Sequence, residues 1–351
     1  MARAVLEAVR IVGLSVCVPK RAVDNLDVSE QERPARERLV RNIGIRFRRV
    51  CDGGMIFSDL AERATQDLLQ GVGWDKSTVD AYIFVHQSPE YVIPSTSIIC
   101  QHRVGFPHTT LAFDINLGCS GYPYGLYTVG SMLKANGLKR AIVVIGDQAG
   151  SIGSEDGGRE ILFGDGASAT ALEFDASAPP MYFEGFSDGA GFKAIYIPDG
   201  GRRNPLTPMS IVPRMAPDGV VRTGTDVALD GPAIMNFSTK VAPESVRSIC
   251  EFAGLSLDQV DYFVFHQANM MINKLIRSKL KLEEARVPTS LHDYGNTSSA
   301  SIPVSLVHQA RDAFTKPGTR FIFCGFGIGL SWASLLIETS PDTYCSEIIE
   351  A

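Results

Sequence analysis

Cys119 stands in Asn116-Leu-Gly-Cys-Ser-Gly121, between an apolar run from Leu111 to Ile115 and a helix-like stretch that continues to about Asn136. A strand, a tight glycine turn and a helix beginning at a cysteine make a setting for a nucleophile. The N-terminus of a helix carries roughly half a positive charge and unpaired N–H groups. Both favour thiolate, the reactive form of cysteine. Gly118 and Gly121 would let an acyl group approach the backbone. Local context leaves open the competing reading, a small buried apolar residue. Cys17, Cys51, Cys100, Cys250, Cys324 and Cys345 lack this context and read as buried thiols.

His266 ends an apolar run, Tyr262 to Phe265. The ends of parallel strands are where ligands bind in open α/β sheets. Asn296 stands in His292-Asp-Tyr-Gly-Asn-Thr-Ser-Ser299. Its link to Cys119 comes from an internal repeat. Val79–Gln87 resembles Val260–Gln267, each ending in His-Gln, with His86 and His266 180 residues apart. Arg140–Gly146 pairs in the same way with Arg320–Gly325, and 112–133 with 289–310. The last pairing sets Cys119 opposite Asn296. If a pseudo-twofold axis relates the halves, a Cys, a His and an Asn converge on one spot.

The elements that must position these residues follow from period. The runs 82–85, 142–145, 262–265 and 321–323 are short and continuously apolar, as strands buried on both faces are. Longer stretches of helical spacing lie between them. Alternating strand and helix predicts βαβ units, a parallel-rich sheet in each half, and helices sandwiched between two sheets. The expected division is 1–175, a loop-rich insertion at 176–226 dense in Pro and Gly, and 227–351.

Composition excludes other classes. The 351 residues are 45% apolar and 21% charged, which is globular. Lys+Arg 33 against Asp+Glu 39 gives a net charge of −6, unlike the basic balance of a nucleic-acid binder. No apolar run reaches the roughly 20 residues of a membrane helix. Seven scattered cysteines without a C-x-x-C pair predict reduced thiols and a cytoplasmic protein.

Gly325-Phe-Gly-Ile-Gly-Leu-Ser-Trp332 has the spacing G-x-G-x-G and returns to strand, so it is not a dinucleotide fingerprint. It reads as a tight turn offering a backbone N–H to an oxyanion. Phe163-Gly-Asp-Gly-Ala167 reads as a β-hairpin turn. No metal-ligand pattern, Walker loop or G-x-S-x-G is present. The run from Arg33 to Arg49 holds seven arginines, either a solvated face or a landing strip for coenzyme A or an acidic carrier protein.

Taken together, Gly118-Cys-Ser-Gly121, Phe163-Gly-Asp-Gly-Ala, His266-Gln-Ala-Asn269, Tyr294-Gly-Asn296-Thr-Ser and Gly325–Trp332 resemble the β-ketoacyl-acyl-carrier-protein synthase III family over nearly the whole chain. The resemblance implies the thiolase-like α/β fold of five layers, αβαβα, with two pseudo-symmetric halves. It implies Cys119 as the acylated nucleophile, with His266 and Asn296 completing a triad. It also implies a homodimer in which Ile93-Pro94-Ser95 reaches the partner's acyl pocket, and no cofactor beyond acyl-coenzyme A or acyl-carrier-protein thioesters.

The chemistry expected is acylation of Cys119, with the oxyanion held by the N–H groups of Cys119 and Ile328. A malonyl thioester then loses CO2, His266 and Asn296 donate hydrogen bonds to the enolate, and a β-ketoacyl thioester results. Arg38, Arg41 and Asn269 are the expected substrate- or carrier-binding residues. Arg38 occupies the place of a family tryptophan before Gly44-Ile-Arg46. A second family arginine aligns near Gly157, with Arg159 two residues on, and Ile328 replaces a usual glycine. These departures open fatty acid initiation and a specialised or polyketide pathway equally. Two other readings stay open: acyl transfer from Cys119 to a non-malonyl acceptor without decarboxylation, and an inactive scaffold subunit.

Overall fold

The computed structural model describes residues 2–150, 161–216 and 219–351. The elements that frame the site are strands β1 (Ala2–Leu6), β2 (Val9–Val18), β3 (Ala81–Val85), β4 (Leu111–Ile115), β5 (Arg140–Gln148), β6 (Asp165–Phe174) and β7 (Met181–Ser187). They continue with β8 (Tyr262–Phe265), β9 (Arg320–Gly327), β10 (Ser331–Glu338) and β11 (Tyr344–Glu350). The helices are α1 (Arg33–Ile43), α2 (Phe57–Val72), α3 (Thr96–Val104), α4 (Gly121–Asn136), α5 (Gly231–Ala253), α6 (Met270–Leu280) and α7 (Ser301–Phe314).

Two sheets result, in the orders β11-β2-β6-β5-β3-β4 and β1-β7-β10-β9-β8. Alternation along each strand explains the layers. Ile83, Val85, Val143 and Ile145 face inward with Val264, Phe321 and Phe323 of the other sheet, around Leu126 and Val129 of α4 and Ile302 and Leu306 of α7. The intervening residues Tyr82, Phe84, Ile142 and Val144 face outward under Leu60, Ala64 and Leu68 of α2. Phe263, Phe265 and Ile322 do the same under Val246 and Ile249 of α5 and Ile272 and Ile276 of α6. Each strand therefore reads as a continuous apolar run, and the order is helix, sheet, helix pair, sheet, helix: the five-layered thiolase-like fold.

The sheets are mixed rather than parallel-rich. β3 pairs parallel with β4 and β5, β2 with β11, and β8 with β9, but β5–β6, β2–β6, β9–β10, β10–β7 and β1–β7 are antiparallel. The reason is connection length: a turn as short as Ile328–Leu330 between β9 and β10 can only reverse the chain. The segment 176–226 is not all loop, because β7 lies inside it as a strand of the second sheet. β1 also belongs to the second sheet and β11 to the first. No helix among the described residues is long and apolar enough to cross a membrane.

The face of α2 shows how tightly β11 is held. A Cβ on Gly71 would lie 2.2 Å from Tyr344 Cζ, and the Tyr344 hydroxyl donates to Asp67 Oδ2 at 2.9 Å. Gly71→Ala is expected to destabilise the protein by about 2 kcal/mol in urea unfolding, because overpacking outweighs the roughly 1 kcal/mol that alanine gains in a helix. Unchanged or raised stability would show that the ring yields freely.

Candidate active site

β4 ends at Ile115, and residues 116–120 turn the chain into α4. The helix begins at Gly121 with Ser120 as its N-cap, so Cys119 stands just before it rather than as its first residue. Cys119 is 7% exposed. Burial pushes its thiol up to about 11; the Ile328 N–H directed at the sulfur lowers it, the Asp147 carboxylate raises it, and its own N–H lowers it. The thiol is thus neutral at rest, contrary to the expected thiolate. Desolvation wins over the helix terminus because the sulfur lies in an enclosed site.

Two glycines of the second half make this burial sterically feasible. A Cβ on Gly325 would lie 2.8 Å from Ser120 Cα, and one on Gly327 would lie 2.7 Å from Cys119 Sγ. The glycine cluster is therefore the end of β9 pressed against the nucleophile turn. Ser120 Oγ and Ser331 Oγ, 2.6 Å apart, join the two from β10.

His266 follows β8, with its backbone N–H on the Cys324 carbonyl at 2.9 Å and Nδ1 2.8 Å from Ser301 Oγ. Its ring meets Phe326 edge-on at 5.6 Å, one residue from Gly327. Burial pushes its pKa down to about 4, partly countered by a hydrogen bond to the Ser298 carbonyl, so the imidazole is neutral. Asn296 is fixed by its backbone: its N–H donates to Leu162 O at 2.8 Å and its carbonyl accepts from Gly164 N at 3.0 Å. Its Oδ1 accepts from Ser298 N at 2.9 Å. The Phe163-Gly-Asp-Gly run is thus no hairpin turn. Phe163 bridges to Asn296, and a Cβ on Gly164 would lie 2.1 Å from Tyr294 O.

A cavity of about 610 Å³ reaches Cys119, Ile328 and Ser298. Its lining includes apolar side chains, among them Phe163, Phe192, Ile195 and Val227, and polar ones, among them Gln87, Asn116, Asp114 and Asp147. His266 and Asn296 are not on its lining; Ser298, bonded to both, is.

Sequence reasoning missed Ser298 and Asp147. Ser298 holds a left-handed φ of 51°, unusual for a residue with a side chain. Asp147 is 2% exposed at the end of β5; it accepts from Gln87 N at 2.6 Å and Ser299 Oγ at 2.9 Å. Burial raises its pKa, against lowering hydrogen bonds from Ser298, Gln87 and Ser299. Nothing local distinguishes it from other aspartates.

The other expected residues lie apart from the cavity. Arg38 and Arg41 are exposed on α1, which has no buried residue. The rest of the arginine run divides: Arg46 pairs with Asp24 at 2.5 Å, Arg49 with Glu350 at 2.8 Å, and Arg48 is buried, donating to Asn25 Oδ1 and Phe163 O. Those three brace the fold. Asn269 caps α6, its Oδ1 accepting from Ile272 N at 2.9 Å, a role that an Asn before an apolar-periodic stretch signals. Ile93 is 83% exposed on its loop. Gly157 and Arg159 lie outside the described residues. Among the described residues no cluster of His, Cys, Asp or Glu is arranged to hold a metal.

The family model described as 3-oxoacyl-[acyl-carrier-protein] synthase III matches residues 113–191, and the model of its C-terminal part matches 250–339. A β-ketoacyl-[acyl-carrier-protein] synthase III of Rhodopirellula baltica is 32% identical, covering 95% of this chain and 99% of its own. One from Caldanaerobacter subterraneus subsp. tengcongensis is 31% identical, covering 95% and 98%. The crystal structure of a 3-oxoacyl-(acyl-carrier protein) synthase from Burkholderia xenovorans LB400 superposes with a TM-score of 0.88 at 33% identity, covering 98% and 99%.

The neutral thiol has a measurable consequence. Iodoacetamide labelling of Cys119, followed on its peptide by mass spectrometry, should climb about tenfold per pH unit from 7 to 10. A plateau between pH 7 and 8 would show that the thiolate already exists there.

Proposed function

The chain belongs to the 3-oxoacyl-[acyl-carrier-protein] synthase III family, and from that premise we propose that it is a condensing enzyme joining an acyl group carried on Cys119 to the two-carbon unit of a malonyl thioester. The observation that carries the reading is the contact of Cys119 with the end of β9: a buried thiol with an N–H from Ile328 directed at it, opening on a cavity.

In the first half-reaction Sγ attacks the thioester carbonyl of an acyl donor. The new S–C bond forms as the donor's C–S bond breaks, and the Cys119 proton ends on the released thiol. The N–H groups of Cys119 and Ile328 are the donors proposed for the oxyanion. In the second, the malonyl carboxylate leaves as CO2, and its bonding pair becomes an enolate on the remaining thioester. That carbon attacks the acyl-enzyme, the S–C bond to Cys119 breaks, and the thiolate takes up one proton from solvent.

His266 and Asn296 are proposed to hold the enolate oxygen. The neutral imidazole is proposed to pass its one N–H from the Ser298 carbonyl to the enolate, donating without supplying a charge that must be neutralised afterwards. The Asn296 oxygen is occupied by Ser298 N–H, which leaves the Nδ2 end as the donor. A carboxylate in either place would repel the developing charge. Acyl transfer to a non-malonyl acceptor would have no use for this pair of donors, and an inactive subunit would have no use for the cavity. The donor is proposed to arrive as a coenzyme A or carrier-protein thioester, with Arg38 and Arg41 on its docking face. The functional unit is proposed to be a homodimer in which the exposed loop at Ile93 lies against the partner. A cytoplasmic location fits the seven unpaired cysteines.

Asn296→Ala is expected to slow release of labelled CO2 from a malonyl thioester by at least about a hundredfold, the usual loss of one preorganised donor, while acylation of Cys119 seen by mass spectrometry stays within severalfold. Loss of acylation with decarboxylation intact would reverse the assignment. Arg38→Glu with Arg41→Glu should raise KM for a carrier-borne donor at low salt and lose this effect at high salt. Equal KM values at low salt would remove α1 from the docking face.

A further inference from the structure

The two halves treat equivalent glutamines differently. Gln267, after His266, is fully buried; its Nε2 donates to Phe265 O at 2.7 Å and its Oε1 accepts from Thr289 Oγ1 at 2.8 Å. Gln87, after His86, is exposed and lines the cavity instead. Its Nε2 donates to Asn116 Oδ1 at 3.0 Å, and Asn116 lines the same cavity. The Gln87 carboxamide lies where a residue-118 side chain would be: a Cβ on Gly118 would be 2.4 Å from Gln87 Oε1. The amide pair therefore abuts the residue next to the nucleophile.

The groups that share the lining with the pair are themselves hydrogen-bonded. Gln87 N is held by Asp147 Oδ1. Asp114 accepts from Thr96 N at 2.7 Å and Ser97 N at 3.0 Å, and His86 Nε2 lies 3.2 Å from its Oδ2. Asp147 is occupied by Gln87 and Ser299. What the amide pair itself leaves for an incoming group is neutral: amide hydrogens from Asn116 and a carbonyl oxygen from Gln87. The same lining also includes apolar Phe192, Ile195 and Val227 and the hydroxyl-bearing Tyr196.

An alkyl chain filling this cavity would dry Asn116 Nδ2 and Gln87 Oε1 without pairing them, at the cost of desolvating polar groups. A terminal carboxylate would come up against Asp114 and Asp147. A hydroxyl is both donor and acceptor and matches both amides. We propose that the acyl group accepted by Cys119 carries a hydroxyl within its first few carbons, received by Gln87 and Asn116. This rests on Cys119 being the acylated nucleophile.

The test offers the protein an equimolar mixture of the N-acetylcysteamine thioesters of butyrate, 3-hydroxybutyrate and succinate, which need neither coenzyme A nor carrier docking. Initial rates of the three adducts on the Cys119 peptide are read by mass spectrometry. The hydroxyacyl adduct should form at least about tenfold faster than the butyryl adduct, with succinyl slowest. In Gln87→Met and in Asn116→Leu the hydroxyacyl-to-butyryl ratio should fall towards one. Because the ratio is internal to each sample, partial unfolding does not mimic that fall. A wild-type ratio near or below one, or succinyl ahead of both, would overturn the proposal while leaving the acyl-enzyme reading intact. A preference that survives both substitutions would overturn the assignment to this pair. No adduct from any donor would overturn the acyl-enzyme reading, and the proposal with it.

Discussion

The end of β9 and the turn before α4 come together with no side chain between them. Gly325 and Gly327 present bare backbone to Ser120 and Cys119, at a separation that would place an added Cβ 2.6–2.9 Å from the turn's own atoms. The approach lets Ile328 direct its N–H at the sulfur, and the Ser120–Ser331 hydroxyl pair ties the turn before α4 to the start of β10 across the halves. It also encloses the sulfur, which is why the thiol keeps its proton. Enclosure and N–H donation act in opposite directions on the resting thiol. In a dry site the same donors gain strength as charge develops on a bound carbonyl.

A second dependence runs through buried polar groups. Asp147, at the end of β5, holds Gln87 on one side and Ser298 and Ser299 on the other. Ser298 in turn bonds Asn296 through its N–H and His266 through its carbonyl. A carboxylate that touches neither reacting partner in the proposed chemistry thus orients part of the cavity lining and both proposed enolate donors. The left-handed backbone at Ser298 is tolerated because bonds on all sides of the residue hold it there.

The duplication was legible because each half writes the same strand ending, His86-Gln87 and His266-Gln267, and because Cys119 and Asn296 fall opposite each other in the repeat. The layers followed from apolar runs too continuous for a one-sided sheet. Sheet direction was less legible, since a pattern of apolar runs does not say whether the chain returns by a three-residue turn or a helix. The state of the Cys119 thiol was misjudged for a related reason: a helix terminus can be read locally, but desolvation comes from residues two hundred positions away. Arg48 and Asn269 show the same limit. A basic run and the family resemblance point to ligand contacts, while packing uses Arg48 to hold Phe163 and Asn269 to start a helix.

The first and last strands are exchanged between the sheets: β1 completes the second and β11 the first. β7 likewise hydrogen-bonds to β10 although more than a hundred residues of chain separate them. A single backbone break in the loop after β7 would therefore not release two independent pieces. Each fragment would hold an edge strand that the other needs to bury its own core, so the fragments should stay clasped until the sheets themselves unzip. The molecule is mechanically one body despite its duplicated plan, and neither half is expected to survive as an autonomous unit.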